Sequence, residues 1–319
     1  GNERDWECGI NVVCETDAQY QGSINSVAFL DMGGFICSGA MVNNVRQDLT
    51  PYFLTAWHCV DGDNPSTFRF YFNKMASSCE NTWGSAGPYA YSSDLVAHSD
   101  GISHESGSES PGGDWALLLI NDEIEEAWEV FYAGWDMTEN YPIISCGVHH
   151  PGGTPKKINY DDDTAYGAWW DNASHGLTHW QVNWDEGGSE GGSSGSPVFN
   201  ERFQIVGVLT GGAGECGEGW PDLYGKFYLG WNWEMETNRR MIDWLDPDYT
   251  GTLVIDGTYV EVTGLTGDLN SDDAVNILDI IQLANMILSD EYADNADLNG
   301  DGTLNILDII SLANIILDS

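Results

Sequence analysis

Two stretches near the end of the chain are close copies, and no other feature constrains the fold as much. Residues 268–288 and 297–317 align without a gap, and between 276–288 and 305–317, 11 of 13 positions are identical. Duplication of one structural unit is the economical account. Each copy opens with oxygen donors at positions 1, 3, 5, 9 and 12 of a loop, the spacing by which a short segment wraps a hard cation. In the first copy these are Asp268, Asn270, Asp272, Asn276 and Asp279, with Ala274 offering its backbone carbonyl at position 7. In the second they are Asp297, Asn299, Asp301, Asn305 and Asp308, with Thr303 at position 7. Two bound calcium ions are expected. Each loop runs into one helix whose polar positions form a narrow stripe (Asn276, Asp279, Gln282 and Asn285 in the first), so most of its circumference is apolar. Two such helices cannot hide that much surface in each other, and part should stay exposed as a binding patch.

The rest of the chain has a different rhythm. Short β-rich runs at 52–56, 68–72, 115–120 and 204–209 are separated by Gly, Asn, Asp and Ser clusters, the pattern of a barrel or sandwich. The 14 Trp and 14 Tyr agree with a mainly β fold. Residues 238–245 have helical spacing before the stop signal Asp246-Pro247, so a short closing helix is expected. Three segments follow: a first domain over 1–257, a Gly- and Thr-rich linker at 258–266, and the duplicated module at 267–319. With 51 acidic against 10 basic residues the net charge is -41, which repels nucleic acid and anionic membranes. No apolar run is long enough to span a bilayer, and the first residues lack the pattern of a signal peptide, so Gly1 reads as a mature terminus. The seven cysteines are scattered singly rather than paired as in zinc sites, which favours disulfides, a secreted or cell-surface protein, and one thiol left over.

Three segments of the first domain combine into one chemistry. Ser194 lies between glycines in Gly191-Gly192-Ser193-Ser194-Gly195, where backbone N–H groups can approach a carbonyl closely. A serine hydroxyl needs a base, and His58 follows the β-type run at 52–55. The base needs a buried acceptor to hold one tautomer, and Asp114 opens the apolar strand at 115–120. Any one of these is unspecific; the order His…Asp…Ser is not. The other histidines (98, 104, 149, 150, 175 and 179) have no metal spacing and are expected at the surface or in packing.

Thr55-Ala56-Trp57-His58-Cys59, Asp114-Trp115-Ala116-Leu117-Leu118 and Gly192-Ser193-Ser194-Gly195-Ser196-Pro197 resemble the chymotrypsin-like serine proteases. Ser38-Gly39-Ala40-Met41, His149-His150-Pro151, Gly134-Trp135-Asp136 and Asp243-Trp244-Leu245-Asp246-Pro247 narrow this to a resemblance to bacterial lysyl endopeptidases. That resemblance implies a chymotrypsin-like double β-barrel, an oxyanion hole from the N–H groups of Gly192 and Ser194, and cleavage after Lys, with Arg as the other candidate. It implies Asp222 at the bottom of the specificity pocket, and Trp169 as the aromatic flanking the base histidine. It also implies the pairs Cys8–Cys216, Cys14–Cys79 and Cys37–Cys59, leaving Cys146 free. Thr210 stands where that family has a histidine, and Ser193 stands where trypsin-type enzymes carry the Asp that receives the liberated N-terminal amine.

The duplicated module resembles a type I dockerin: one helix follows each loop, and position 12 is Asp rather than Glu. This implies a cohesin partner on a scaffold or surface protein, met through Ile277, Leu278, Ile306 and Leu307 at loop positions 10 and 11. Two rivals are a protease fold that only binds, and an active protease whose tail is a structural calcium module.

Overall fold

The structure, a computed structural model, describes residues 8–80, 82–99, 113–170, 177–212, 221–232, 236–259, 267–270, 274–289, 292–299 and 302–318. Residues 1–260 and 261–319 form separate compact units.

The first unit is mainly β, because short β-branched and aromatic runs broken by Gly- and Asn-rich turns pair with their neighbours as antiparallel strands. Its N-terminal sheet has seven strands in the spatial order Tyr89–Tyr91, Arg69–Tyr71, Val27–Asp31, Ile36–Met41, Tyr52–Thr55, Ala116–Ile120, Ser93–His98. The second sheet takes its first strand from the N-terminal segment and the rest from later in the chain, with the order Ile10–Asn11, Lys157–Asp161, Ser145–His149, Pro197–Phe199, Ile205–Gly212, Asp222–Lys226, His179–Val182, Tyr166–Ala168. Trp135–Asp136 runs parallel to the second sheet's Ile205 and pairs with Val254–Ile255. This is the chymotrypsin-like double-barrel architecture expected from the sequence. The inward side chains Leu30, Phe53, Phe70 and Leu117 of the first sheet and Val148, Ile158, Phe199 and Val208 of the second belong to one continuous core.

The closing helix is shorter than its spacing predicts: a 3-10 turn, Thr237–Arg239, and a short helix, Ile242–Leu245, replace one continuous segment. Between them Arg240 is extended, at φ -146° and ψ 144°, and Met241 donates its N–H to the Gly230 carbonyl instead of to a helical partner. A tertiary hydrogen bond has overridden a local preference.

Cys14–Cys79 and Cys37–Cys59 are bonded and Cys146 is a buried free thiol, as the resemblance implied. Cys8 is also disulfide-bonded; Cys216, its expected partner, lies outside the described residues.

In the second unit, the helices Ile277–Ser289 and Ile306–Asp318 bury Leu283 and Leu312, which occupy equivalent places in the two repeats. Ile277 and Leu278 are 62% and 52% exposed, and Ile306 and Leu307 carry the same two values. The duplication in sequence is therefore a duplication in surface.

Candidate active site

His58 sits on a single helical turn, Trp57–Val60, that begins where the strand Tyr52–Thr55 ends. Cys59 of that turn is bonded to Cys37 of the strand Ile36–Met41, so the turn cannot swing away. Asp114 arrives at the same level because Ala116 pairs with Thr55 across the sheet. Its carboxylate is fully buried and receives two N–H groups, His58 Nδ1 at 2.6 Å and the His58 amide at 2.9 Å. Since a carboxylate only accepts, the ring proton lies on Nδ1, and Nε2 is left free to take a proton.

Asp114 has φ 51°, a left-handed conformation that Asp tolerates better than most residues. Gly113 precedes it, and any Cβ on Gly225 would clash with the Gly113 carbonyl. The strand Asp222–Lys226 of the second sheet thus presses on the turn that aims Asp114.

Ser194 lies on a turn stitched by its own backbone: Ser193 N–H to Glu190 carbonyl at 2.9 Å, Ser196 N–H to Ser193 carbonyl at 3.0 Å, and Gly195 N–H to Leu209 carbonyl at 2.8 Å. Gly195 has φ 82°, and a Cβ there would clash with Thr55 Oγ1 and the Ala56 amide. The residue after Ser194 therefore packs against the chain that leads into His58. Among the described residues no hydrogen bond joins Ser194 to His58, a contact that in substrate-free enzymes is often long and tightens with substrate. The Gly192 and Ser194 N–H groups also have no acceptor among the described residues.

Asp222 is almost fully buried at the start of its strand. Trp184 Nε1 donates to its Oδ2 at 2.7 Å and the Ser189 hydroxyl donates to its Oδ1. Burial pushes the carboxyl up to about 6, against the opposing pull of those two donors. Among the described residues no cation is paired with it.

Trp169 is about half exposed, just beyond the strand Tyr166–Ala168. Its neighbour Trp170 has its ring 5.9 Å from that of His179, whose Nε2 meets the Thr210 hydroxyl at 3.0 Å. Trp57, adjacent to His58 in the chain, has its ring stacked on that of His98, 3.8 Å apart at an interplanar angle of 16°. Spacing could not show this, because the two residues meet only through the sheet.

In the second unit the described loop donors are all hard oxygens, which fits calcium; Asp272 and Asp301 lie outside the described residues. Both position-12 carboxylates are buried and close their loops: Asp279 accepts from the Leu269, Asn270 and Asn276 amides, and Asp308 from those of Asn299 and Asn305.

Residues 3–225 match the family model described as the lysyl endopeptidase C-terminal domain. The chain belongs to the lysyl endopeptidase family. Residues 266–317 match the type I dockerin domain, so this lysyl endopeptidase-like protease carries a dockerin at its C-terminal end. A curated lysyl endopeptidase from Pseudomonas aeruginosa is 27% identical over 226 residues, 66% of this chain and 46% of that protein. The chain thus spans a little under half the length of that relative. Among solved structures, the inactivated protease paralogue S-I1 of the scabies mite is 18% identical with a TM-score of 0.48, covering 73% of this chain and 97% of that one. A Glu endopeptidase is 17% identical with a TM-score of 0.42, covering 64% and 85%.

Sequence reasoning missed the partners of Asp222, Trp184 and Ser189, and the joints made by Ser38 and His149. The two latter residues fall inside segments that marked the family, yet no spacing assigns them a task.

Proposed function

We propose that the chain is a secreted serine endopeptidase that hydrolyses peptide bonds after lysine, with arginine as a second substrate, and that its dockerin holds it on a cohesin-bearing protein outside the cell. The observation that carries this reading is the buried Asp114 carboxylate held by both the ring and the amide of His58. In this scheme His58 Nε2 takes the Ser194 proton as Oγ attacks the scissile carbonyl. The Gly192 and Ser194 N–H groups receive the negative oxygen that forms. His58 then gives the proton to the leaving amine, and water, deprotonated by His58, releases the acid and restores Ser194.

Asp222 supplies the lysine preference. A buried carboxylate without a cation is costly, and a substrate ammonium relieves that cost only when it sits in the pocket. In the dockerin, Asp268, Asn270, Asp272, Asn276, Asp279 and the Ala274 carbonyl would hold one calcium, and Asp297, Asn299, Asp301, Thr303, Asn305 and Asp308 a second. Bound calcium neutralises the crowded carboxylates and thereby stabilises the loops.

The decisive experiment joins labelling to cleavage. A serine-directed phosphonate should modify Ser194 once per chain, and digestion of a proteome-derived peptide mixture should leave lysine before most new termini. Ser194→Ala should lose both signals; near-normal turnover in that variant overturns the reading.

A further inference from the structure

His149 ends the strand Ser145–His149 and is buried between two parts of the chain that lie far apart in sequence. On one edge its Nδ1 meets the Ser193 hydroxyl at 2.7 Å. On the other, Nε2 meets the Cys8 carbonyl at 3.1 Å and Asn159 Oδ1 at 3.2 Å. The Asn159 amide group donates to the Gly188 carbonyl at 3.0 Å, which fixes its oxygen toward His149. Two acceptors therefore face Nε2, so it carries the ring proton and Nδ1 must accept. Ser193 consequently donates its hydroxyl proton to His149, and its oxygen accepts the Glu190 N–H at 3.2 Å. The chain of donors is complete and runs one way, from Glu190 through Ser193 and His149 to Cys8.

We propose that His149 is a positioning residue for Ser194: it locks the Ser193 side chain to the N-terminal segment at Cys8, and so holds the Gly192–Ser194 amides in the orientation that receives an oxyanion. Ser193 is fully buried and next to Ser194 in the chain, so a rotation of its peptide would carry the Ser194 N–H with it. The lock uses a neutral ring. Burial lowers the His149 imidazole to about 4, against its hydrogen bonds to Asn159 and Cys8, so it stays uncharged at neutral pH. Anchorage of the N-terminal segment and order at the nucleophile are thereby coupled through uncharged groups. The proposal rests on the serine endopeptidase reading above.

The two edges of the ring can be separated by side-chain amides in the full-length protein. His149→Asn keeps an acceptor near the Nδ1 position facing Ser193, whereas His149→Gln keeps a donor near Nε2 facing Cys8. Turnover of a peptidyl-lysine p-nitroanilide should be measured per active site, titrated with the phosphonate. Because the oxyanion donors act in the transition state, kcat should fall about tenfold or more in His149→Gln, with KM within about twofold. His149→Asn, which leaves the Cys8 edge without its donor, should lower kcat to a similar extent, because the lock needs both edges of the ring. Ser193→Ala removes one oxygen and should lower kcat similarly, and adding His149→Gln to it should cost little more. This variant carries the test should substitution of His149 prevent folding. Unchanged kcat per titrated site in Ser193→Ala or in either single His149 variant, or fully additive losses when His149→Gln is combined with Ser193→Ala, overturns the proposal and leaves His149 as packing. Absence of phosphonate labelling in the unaltered protein is a different failure: it sinks the triad reading and the lock with it.

Discussion

Ser38 donates its N–H to the Ser194 carbonyl at 2.8 Å, a hydrogen bond that crosses from the strand Ile36–Met41 to the turn bearing the proposed nucleophile. The same residue works with its side chain. Its hydroxyl donates to the Gly192 carbonyl at 2.9 Å and accepts the His150 N–H at 3.0 Å, while its own carbonyl receives the Thr55 hydroxyl at 2.8 Å. One small buried residue thus ties the turn of Ser194 to the sheet that carries His58.

Ser38→Ala tests that joint. The substitution leaves the Gly192 carbonyl and the His150 N–H buried without their partner, which should cost about 1–3 kcal/mol in urea unfolding. Turnover per titrated site should fall as well, because the peptide that ends in the Gly192 carbonyl adjoins the oxyanion donors. Stability loss with unaltered kcat would show that the joint supports the fold alone.

Asp222 offers a prediction in pH. With its carboxyl raised to about 6, it is ionised at neutral pH and becomes neutral as pH falls through that value. An ammonium binds the ionised form, so affinity for n-butylamine as a competitive inhibitor should be flat above pH 7. Below about 6 it should weaken, approaching tenfold per unit. Asp222→Asn should abolish both this dependence and the lysine preference; retention of the preference would falsify the pocket assignment.

The calcium loops predict independent failure of the two units. Without metal, Asp268, Asp272 and Asp279 repel one another in one loop, as do Asp297, Asp301 and Asp308 in the other. Excess EDTA should remove the circular-dichroism signal of the two helices while phosphonate labelling and p-nitroanilide turnover persist in the disulfide-held protease. Simultaneous loss of both would mean that the tail is integrated with the protease.

Equal exposure of Ile277 with Ile306 and of Leu278 with Leu307 predicts a partner that can bind in two orientations. Replacing Ile277 and Leu278 by Asp should leave affinity for a matching cohesin largely intact, as should the same change at Ile306 and Leu307. Only the quadruple variant should lose binding, by calorimetric titration. Abolition by one pair alone would make the repeats unequal, and normal binding by the quadruple variant would move the patch elsewhere.

The sequence by itself determined what short-range chemistry can express. The β rhythm, the order His58, Asp114, Ser194 and the repeat at 268–288 and 297–317 are local or periodic; their structural counterparts are the strands, the His58–Asp114 hydrogen bond and the two equivalent helices. Tertiary structure decided what depends on surfaces meeting. Burial gives Asp222 its environment, and Trp184 and Ser189 are separated from it in sequence by 38 and 33 positions. His149 meets Cys8 across 141 positions and Ser193 across 44. Arg240 breaks the closing helix because Met241 finds Gly230. A hydrogen bond between distant residues leaves no periodicity in the chain, since its geometry exists only once the sheets have brought both partners out of water.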